Sequence, residues 1–121
     1  MSSEVGSDDI STKTSKEWNI MPMYAILMKF TQKRMETIES YAESTMPAYE
    51  CAKMLGIDVK IGLRTMGQYD VVAIAEAPND EAIVKWLLAF NRNGYLITET
   101  LRGFNYDEFT TMIDEIKDLP R

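Results

Sequence analysis

The sequence contains no histidine and a single cysteine among its 121 residues. The absence of histidine removes the side chain that most often serves as a general base or as a metal ligand. Cys51 alone cannot form an internal disulfide and is typical of a reducing compartment, so we expect a cytoplasmic protein. Glycine-rich phosphate loops, cysteine pairs and calcium-loop carboxylate spacings are also missing. We therefore predict no metal site and no cofactor.

Long hydrophobic runs and an excess of positive charge are missing as well. No apolar run approaches the roughly 18 residues of a transmembrane helix. The N-terminus lacks the basic-then-apolar pattern of a secretory signal. The formal net charge is −6, which argues against nucleic acid or an anionic membrane as a general partner.

Residues 1–20 lack any periodic apolar pattern and are rich in serine, threonine and aspartate. Such a segment has too little apolar surface to offset the entropy cost of ordering. We expect a disordered N-terminal extension over residues 1–20, followed by one folded domain over residues 21–121. Met21 is also a second candidate start of translation.

From Met23 onward, the hydrophobic pattern predicts alternating strands and helices. The predicted strands are residues 23–31, 58–65, 69–76 and 95–102, and the predicted helices are residues 33–55 with an interruption at Pro47, Pro78 to Gly94, and 106–117. The order β-α-β-β-α-β, with an extra C-terminal helix, predicts an α+β domain of ferredoxin-like type.

Two of these strands, residues 23–28 and 71–75, are apolar on both faces, as strands covered on both sides are. In this fold two helices cover one face of the sheet, and the short helix at 106–117 is too small to cover the other. An uncovered sheet face would be a larger apolar patch than monomers usually keep. We predict that a second copy covers it about a two-fold axis, forming a dimeric α/β barrel.

Three blocks of the sequence resemble the GYD-domain family of small bacterial and archaeal proteins. The blocks are "MPMYAILMKFT", "GLRTMGQYDVVAIAEAPNDE" and "LITETLRGF", and the residues that carry the resemblance are Gly67, Tyr69, Asp70, Thr98, Glu99, Thr100 and Arg102. The resemblance extends over about residues 21–116. It implies a ferredoxin-like domain that forms dimeric α/β barrels, and it implies little about biochemical function.

Lys29 and Glu99 are charged residues within otherwise apolar strands. In a ferredoxin-like sheet the first and last strands are neighbours, so these two side chains are candidates for a pair. One interpretation is an ion pair near a strand end. The other is a polar spot in the barrel cavity, where burial perturbs a pKa and supports acid–base chemistry. Sequence does not fix the strand register that decides between them.

The "GQYD" turn also has a structural and a functional interpretation. Gly67 supplies a backbone conformation that other residues resist, and Tyr69 or Asp70 braces the hairpin. Alternatively, Tyr69 donates a hydrogen bond at a cavity mouth and Asp70 acts as a base. The candidate ligand-binding residues are therefore Lys29, Tyr69, Asp70 and Glu99, and the structural motif residues are Gly67, Thr98, Thr100 and Arg102.

Lys60 and Arg64 are predicted to share one face of the second strand, with Glu76 across the hairpin. That strand is an edge of the predicted sheet, where charged side chains most often deter further pairing. A basic site for an anionic ligand is the minority interpretation. Cys51 is expected to serve in helix packing.

Three classes of function remain. The favoured class is a small homo-oligomeric module for ligand binding or assembly, whose barrel cavity either holds a small organic molecule or simply forms the oligomer. The second is a cofactor-independent enzyme, oxygenase-like or isomerase-like, acting in the same cavity, an analogy at the level of fold alone. The third is a subunit or regulator of a larger complex that docks through residues 1–20. The absence of a recognisable nucleophile–base pair favours the first and third classes.

Overall fold

The computed structural model describes residues 21–121, so the predicted N-terminal extension lies outside the described residues. Within this part of the chain, residues 21–103 and residues 104–121 form separate compact units. The first unit contains the sheet with its helices, and the second contains a single helix.

The first unit is an antiparallel sheet with helices packed on it. Its strands are β1 (Met23–Phe30), β2 (Asp58–Arg64), β3 (Val71–Glu76) and β4 (Leu96–Gly103), and its helices are α1 (Gln32–Glu36), a 3₁₀ turn (Ile38–Ser40), α2 (Tyr41–Met54) and α3 (Asp80–Phe90). The strand order is β2-β3-β1-β4, and every neighbouring pair is antiparallel. This confirms the predicted ferredoxin-like α+β fold, with β1 and β4 adjacent and β2 at an edge. Among residues 21–121, no helix has the length and apolar character needed to cross a membrane.

The core lies between the sheet and the helices. Alternate residues of β1 and β3 point to this helix-covered face, where Ile26 is fully buried opposite Ala73. They pack with Ile83 and Trp86 of α3 and Ala52 of α2 in one cluster of buried residues. The two helices therefore cover one face of the two central strands, β1 and β3, as predicted for this fold.

The opposite face of the sheet, called here the open face, is apolar across all four strands. It is formed by Ala25, Leu27, Ile61, Leu63, Val72, Ile74, Ile97 and Leu101. Its four outer residues are about half exposed, from 46% for Leu101 to 62% for Ile97. The apolar residues of β1 and β3 therefore lie in the core on one face of the sheet and on the open face on the other.

The prediction that Lys60 and Arg64 share a face is wrong, because β2 contains a β-bulge. The register shifts between Val59 and Ile61, and the extra residue reverses the alternation of side chains. Arg64 consequently lies on the helix-covered face. Lys60 lies at the bulge, where its ammonium group is 2.8 Å from the Asp58 carboxylate and 3.6 Å from that of Glu76.

The helical segment after β1 breaks at a different place from the one expected. Pro47 lies inside α2, where it leaves the Glu43 carbonyl without its usual helical donor. The break comes earlier, at Thr37, whose N–H and hydroxyl both donate to the Arg34 carbonyl, at 3.0 and 3.3 Å. Such local side-chain bonds compete with continuation of the helix. The chain then re-enters a helix at Tyr41.

The second unit contains helix α4 (Tyr106–Ile116). Its N-terminus is a capping box, in which Asn105 accepts a hydrogen bond from the Glu108 N–H and Glu108 accepts one from the Asn105 N–H. The capping box fixes the start of the helix that the sequence predicts over residues 106–117. Phe109, Met112, Ile113 and Ile116 are all partly exposed, between 38% and 58%.

Candidate functional site

Three of the four predicted ligand-binding residues lie together at one end of the open face. The Tyr69 hydroxyl donates to Glu99 Oε1 at 2.7 Å, and the Lys29 ammonium lies 5.8 Å from the centre of the Tyr69 ring. Glu99 faces Leu27, and Lys29 faces Ile97, so the two charges are diagonal neighbours on that face. The hydrogen bond to Glu99 raises the pKa of the Tyr69 hydroxyl. We call Lys29, Tyr69 and Glu99 the tyrosine cluster.

The fourth predicted residue, Asp70, is tied to the backbone of β1. Its carboxylate accepts the Phe30 N–H at 2.8 Å, and its own N–H donates to the Met28 carbonyl at 2.8 Å. Its carbonyl accepts the Thr65 N–H, and the Thr65 hydroxyl donates to the Tyr69 carbonyl. Gly67 has a φ of 113°, which side-chain-bearing residues rarely adopt. These contacts support a bracing role for Asp70.

Replacing Asp70 with alanine should lower the free energy of unfolding by about 2 kcal/mol, because the Phe30 N–H loses its acceptor while still partly buried. Asp70→Asn, which retains an acceptor oxygen, should lose less. Urea denaturation of both variants measures the difference. Gln68→Ala, at an exposed position of the same turn, is the control and should match the parent protein. Equal stability of Asp70→Ala and Gln68→Ala would contradict the bracing role.

The remaining motif residues, Thr98, Thr100 and Arg102, point to the helix-covered side of β4. They lie opposite Met28, Ile26 and Tyr24 of β1. The Arg102 guanidinium lies 5.6 Å from the centre of the Tyr24 ring, and the Tyr24 hydroxyl donates to the Asp80 carboxylate. Tyr24 thus connects β1 to the start of α3. Burial, followed by the hydrogen bond to Asp80, raises the pKa of Tyr24 to about 12.

This shift predicts a loss of stability in alkali. An unfolded tyrosine ionises near pH 10, whereas folded Tyr24 holds its proton to about pH 12. The stabilisation is complete below pH 10 and falls by about 2–3 kcal/mol as the pH rises to 12. Tyr24→Phe cannot ionise, so the difference in unfolding free energy between it and the parent protein should change over this window. A pH-independent difference would contradict the assignment.

A second site, which the sequence analysis did not identify, lies on the helix-covered side. A cavity of about 80 Å³, called here the helix-side cavity, opens between α2, α3 and the sheet. Its apolar lining includes Met28, Val59, Val71, Ala73, Trp86, Phe90 and Leu96. Two arginines, Arg34 and Arg64, also line it. Arg34 was missed because it follows β1 in a short polar stretch typical of a solvated helix. Arg64 was missed because strict alternation along β2 places it on the same side as Lys60, and the β-bulge reverses that alternation.

The two arginines are held by tyrosines and hydroxyl groups. Arg34 is 2% exposed, stacks 3.9 Å from the centre of the Tyr95 ring and donates to Ser44 Oγ at 2.9 Å. Arg64 Nε donates to the Tyr41 hydroxyl at 2.8 Å. Both guanidinium groups lie near the Tyr41 ring, 5.4 Å from its centre for Arg34 and 5.2 Å for Arg64.

Neither location resembles a metal centre. Within the described range 21–121, no group of three or more cysteine, aspartate or glutamate side chains is placed to hold a metal ion. The tyrosine cluster on one side of the sheet and the two arginines on the other supply hydrogen-bonding and charged groups for a ligand.

The fold and these features define a small ferredoxin-like domain with an exposed apolar sheet face. The family model described as "GYD domain" matches residues 24–113. The chain therefore belongs to the GYD domain family, which confirms the resemblance carried by the three sequence blocks. A search of curated proteins finds no match.

Solved structures with a similar fold include two bacterial proteins. An AsnC family transcriptional regulator from Agrobacterium tumefaciens has a TM-score of 0.50 at 10% identity, over 77% of this chain and 56% of that one. LrpC of B. subtilis has a TM-score of 0.48 at 17% identity, over 84% of this chain and 59% of that one. The matched region is thus less than two thirds of either protein. At such identity the likeness to the AsnC family regulator concerns the fold alone.

Proposed function

We propose that the protein is a homo-oligomeric module for ligand binding or assembly, in which two copies pair through their open faces. The open face carries this proposal, because it is continuous across all four strands and half exposed at both edges. Apolar patches of this kind on soluble domains are typically interaction surfaces. A second copy presents the same apolar face, and an isologous two-fold contact is the commonest way to bury it.

The tyrosine cluster supplies polar groups at one end of that face. In a paired arrangement, Lys29, Tyr69 and Glu99 form the polar end of the cavity between the sheets, and the surrounding apolar residues contact the body of a small organic molecule. Asp70 positions the turn that carries Tyr69, since its carboxylate is engaged by the β1 backbone. Binding is favoured over catalysis because the cluster has a hydrogen-bond donor and a carboxylate but no activated nucleophile.

Light scattering coupled to gel filtration tests the pairing. The full chain should elute with at least twice its monomer mass of 13.9 kDa. Leu101→Lys, which adds a charge to the open face, should shift the mass to that of a monomer, because the charge would be buried without a partner. Leu88→Lys makes the same change on α3, where the leucine is 67% exposed, and should leave the mass unchanged.

A monomeric parent protein at low micromolar concentration would overturn the pairing. So would a Leu101→Lys variant that keeps the parent mass. A loss of mass in both lysine variants would indicate a general effect of added charge and would also count against the open face.

A further inference from the structure

We propose that the helix-side cavity binds a small monocarboxylate with a short apolar body, with Arg34 and Arg64 receiving the carboxylate. This inference goes beyond the proposed function and does not rest on it. The cavity lies on the helix-covered side of the sheet, whereas the pairing proposal concerns the open face.

The first argument is charge. Two guanidinium groups line the cavity, and no aspartate or glutamate is among its lining residues. Arg34 is 2% exposed and has no carboxylate partner among residues 21–121. A buried cation normally requires a counter-charge. The chain has a net charge of −6 and is therefore rich in carboxylates, yet none of them pairs with Arg34 among the described residues. A bound anion would supply the missing counter-charge.

The second argument is the number of free donors. A guanidinium has five N–H groups. In Arg34, one donates to Ser44 Oγ at 2.9 Å and one to the Thr37 carbonyl at 3.4 Å. The others have no acceptor within the described part of the chain, and the group lies over the Tyr95 ring, 3.9 Å from its centre. A guanidinium with free N–H groups is suited to the two oxygens of a carboxylate.

The third argument is the shape and polarity of the cavity. Its volume of about 80 Å³ admits a molecule of only a few non-hydrogen atoms. Trp86, Phe90 and Val59 give it an apolar wall. Apolar walls suit a hydrocarbon body and a single charge, and they disfavour a phosphate dianion, whose charge is costlier to desolvate. Arg64 and Tyr49 are exposed and mark the mouth of the cavity.

A titration of the ¹⁵N-labelled full chain with sodium butyrate at constant ionic strength tests the proposal. Butyrate should shift the indole N–H resonance of Trp86, a residue of the cavity lining, and the Nε–H resonances of Arg34 and Arg64. Butyramide has nearly the same shape but no charge and should produce no saturable shift. Inorganic phosphate should bind more weakly than butyrate.

Two substitutions on β2 form a matched pair. Arg64→Met should raise the dissociation constant for butyrate about tenfold or more, because a charge-assisted hydrogen bond is lost. Lys60→Met removes the same charge from the same strand, where the lysine pairs with Asp58 and Glu76, and should leave the constant unchanged. Arg64 is exposed, so its replacement tests binding without disturbing the core, unlike replacement of buried Arg34.

Absence of butyrate-dependent shifts would overturn the proposal. Equal binding of butyramide would show that charge is not recognised, and tighter binding of phosphate would assign the site to another class of ligand. An equal effect of Arg64→Met and Lys60→Met would reduce the interaction to non-specific attraction. Any of these results leaves the pairing through the open face untouched, because that is measured by mass alone.

Discussion

Ile26→Ala is expected to lower the free energy of unfolding by about 4 kcal/mol, the upper part of the range for buried Ile-to-Ala changes. Ile26 is fully buried in the central strand β1, between Ala73 on β3 and Thr100 on β4. Its neighbours on β3 include alanines, which have little side chain with which to fill the space. The substitution therefore leaves a cavity that backbone pairing on both sides prevents from collapsing.

Chemical denaturation at fixed protein concentration measures this loss, since association would make stability depend on concentration. The control is Leu88→Ala on α3, where the leucine is 67% exposed and alanine is a better helix former. It should change the unfolding free energy by less than about 0.5 kcal/mol. A loss of under about 1 kcal/mol for Ile26→Ala would show that this core relaxes freely, contrary to its packing.

Trp86→Ala is expected to cost about 3–5 kcal/mol. Trp86 is 4% exposed, its indole N–H donates to the Ala48 carbonyl at 2.8 Å, and its ring packs edge-on against Phe90 at 5.1 Å between centres. Trp86 therefore connects α3 to α2 through this hydrogen bond. Its removal deletes a large buried surface and a hydrogen bond together.

Trp86→Phe separates these two contributions. It keeps an aromatic ring and loses the N–H donor, so we expect it to be clearly milder than Trp86→Ala. Lys85→Ala, at the adjacent exposed position of α3, is the control and should unfold like the parent protein. If Trp86→Phe proved as destabilising as Trp86→Ala, the hydrogen bond to Ala48 would account for the stability and the ring packing would not.

Much of the fold could be predicted because its signals are local. The doubly apolar runs of β1 and β3 and the capping box of α4 each depend on residues a few positions apart. The order of the elements then restricts the sheet to a few topologies. The contact between Tyr69, just before β3, and Glu99 on β4 was harder to predict, because it requires the registers of both β3 and β4 against β1.

The helix-side cavity could not be predicted for a related reason. The bulge in β2 turns Arg64 toward the helices, and it arises from pairing with β3 and from no local signal in the sequence. The burial of Arg34 depends on Tyr95, which is distant in the chain and approaches only after folding. A charged residue in a short helix is usually exposed to solvent, so the sequence alone predicts an exposed Arg34.

The placement of β1 at the centre of the sheet has a consequence for how the chain folds. β1 is the first strand among residues 21–121, yet its partners are residues 71–76 and 96–103. During synthesis, this apolar strand therefore stays unpaired until residues more than forty positions further along the chain have left the ribosome. Such non-local pairing slows folding and exposes the strand to association with other chains. The nascent protein is consequently at its most vulnerable to aggregation before β4 has been synthesised.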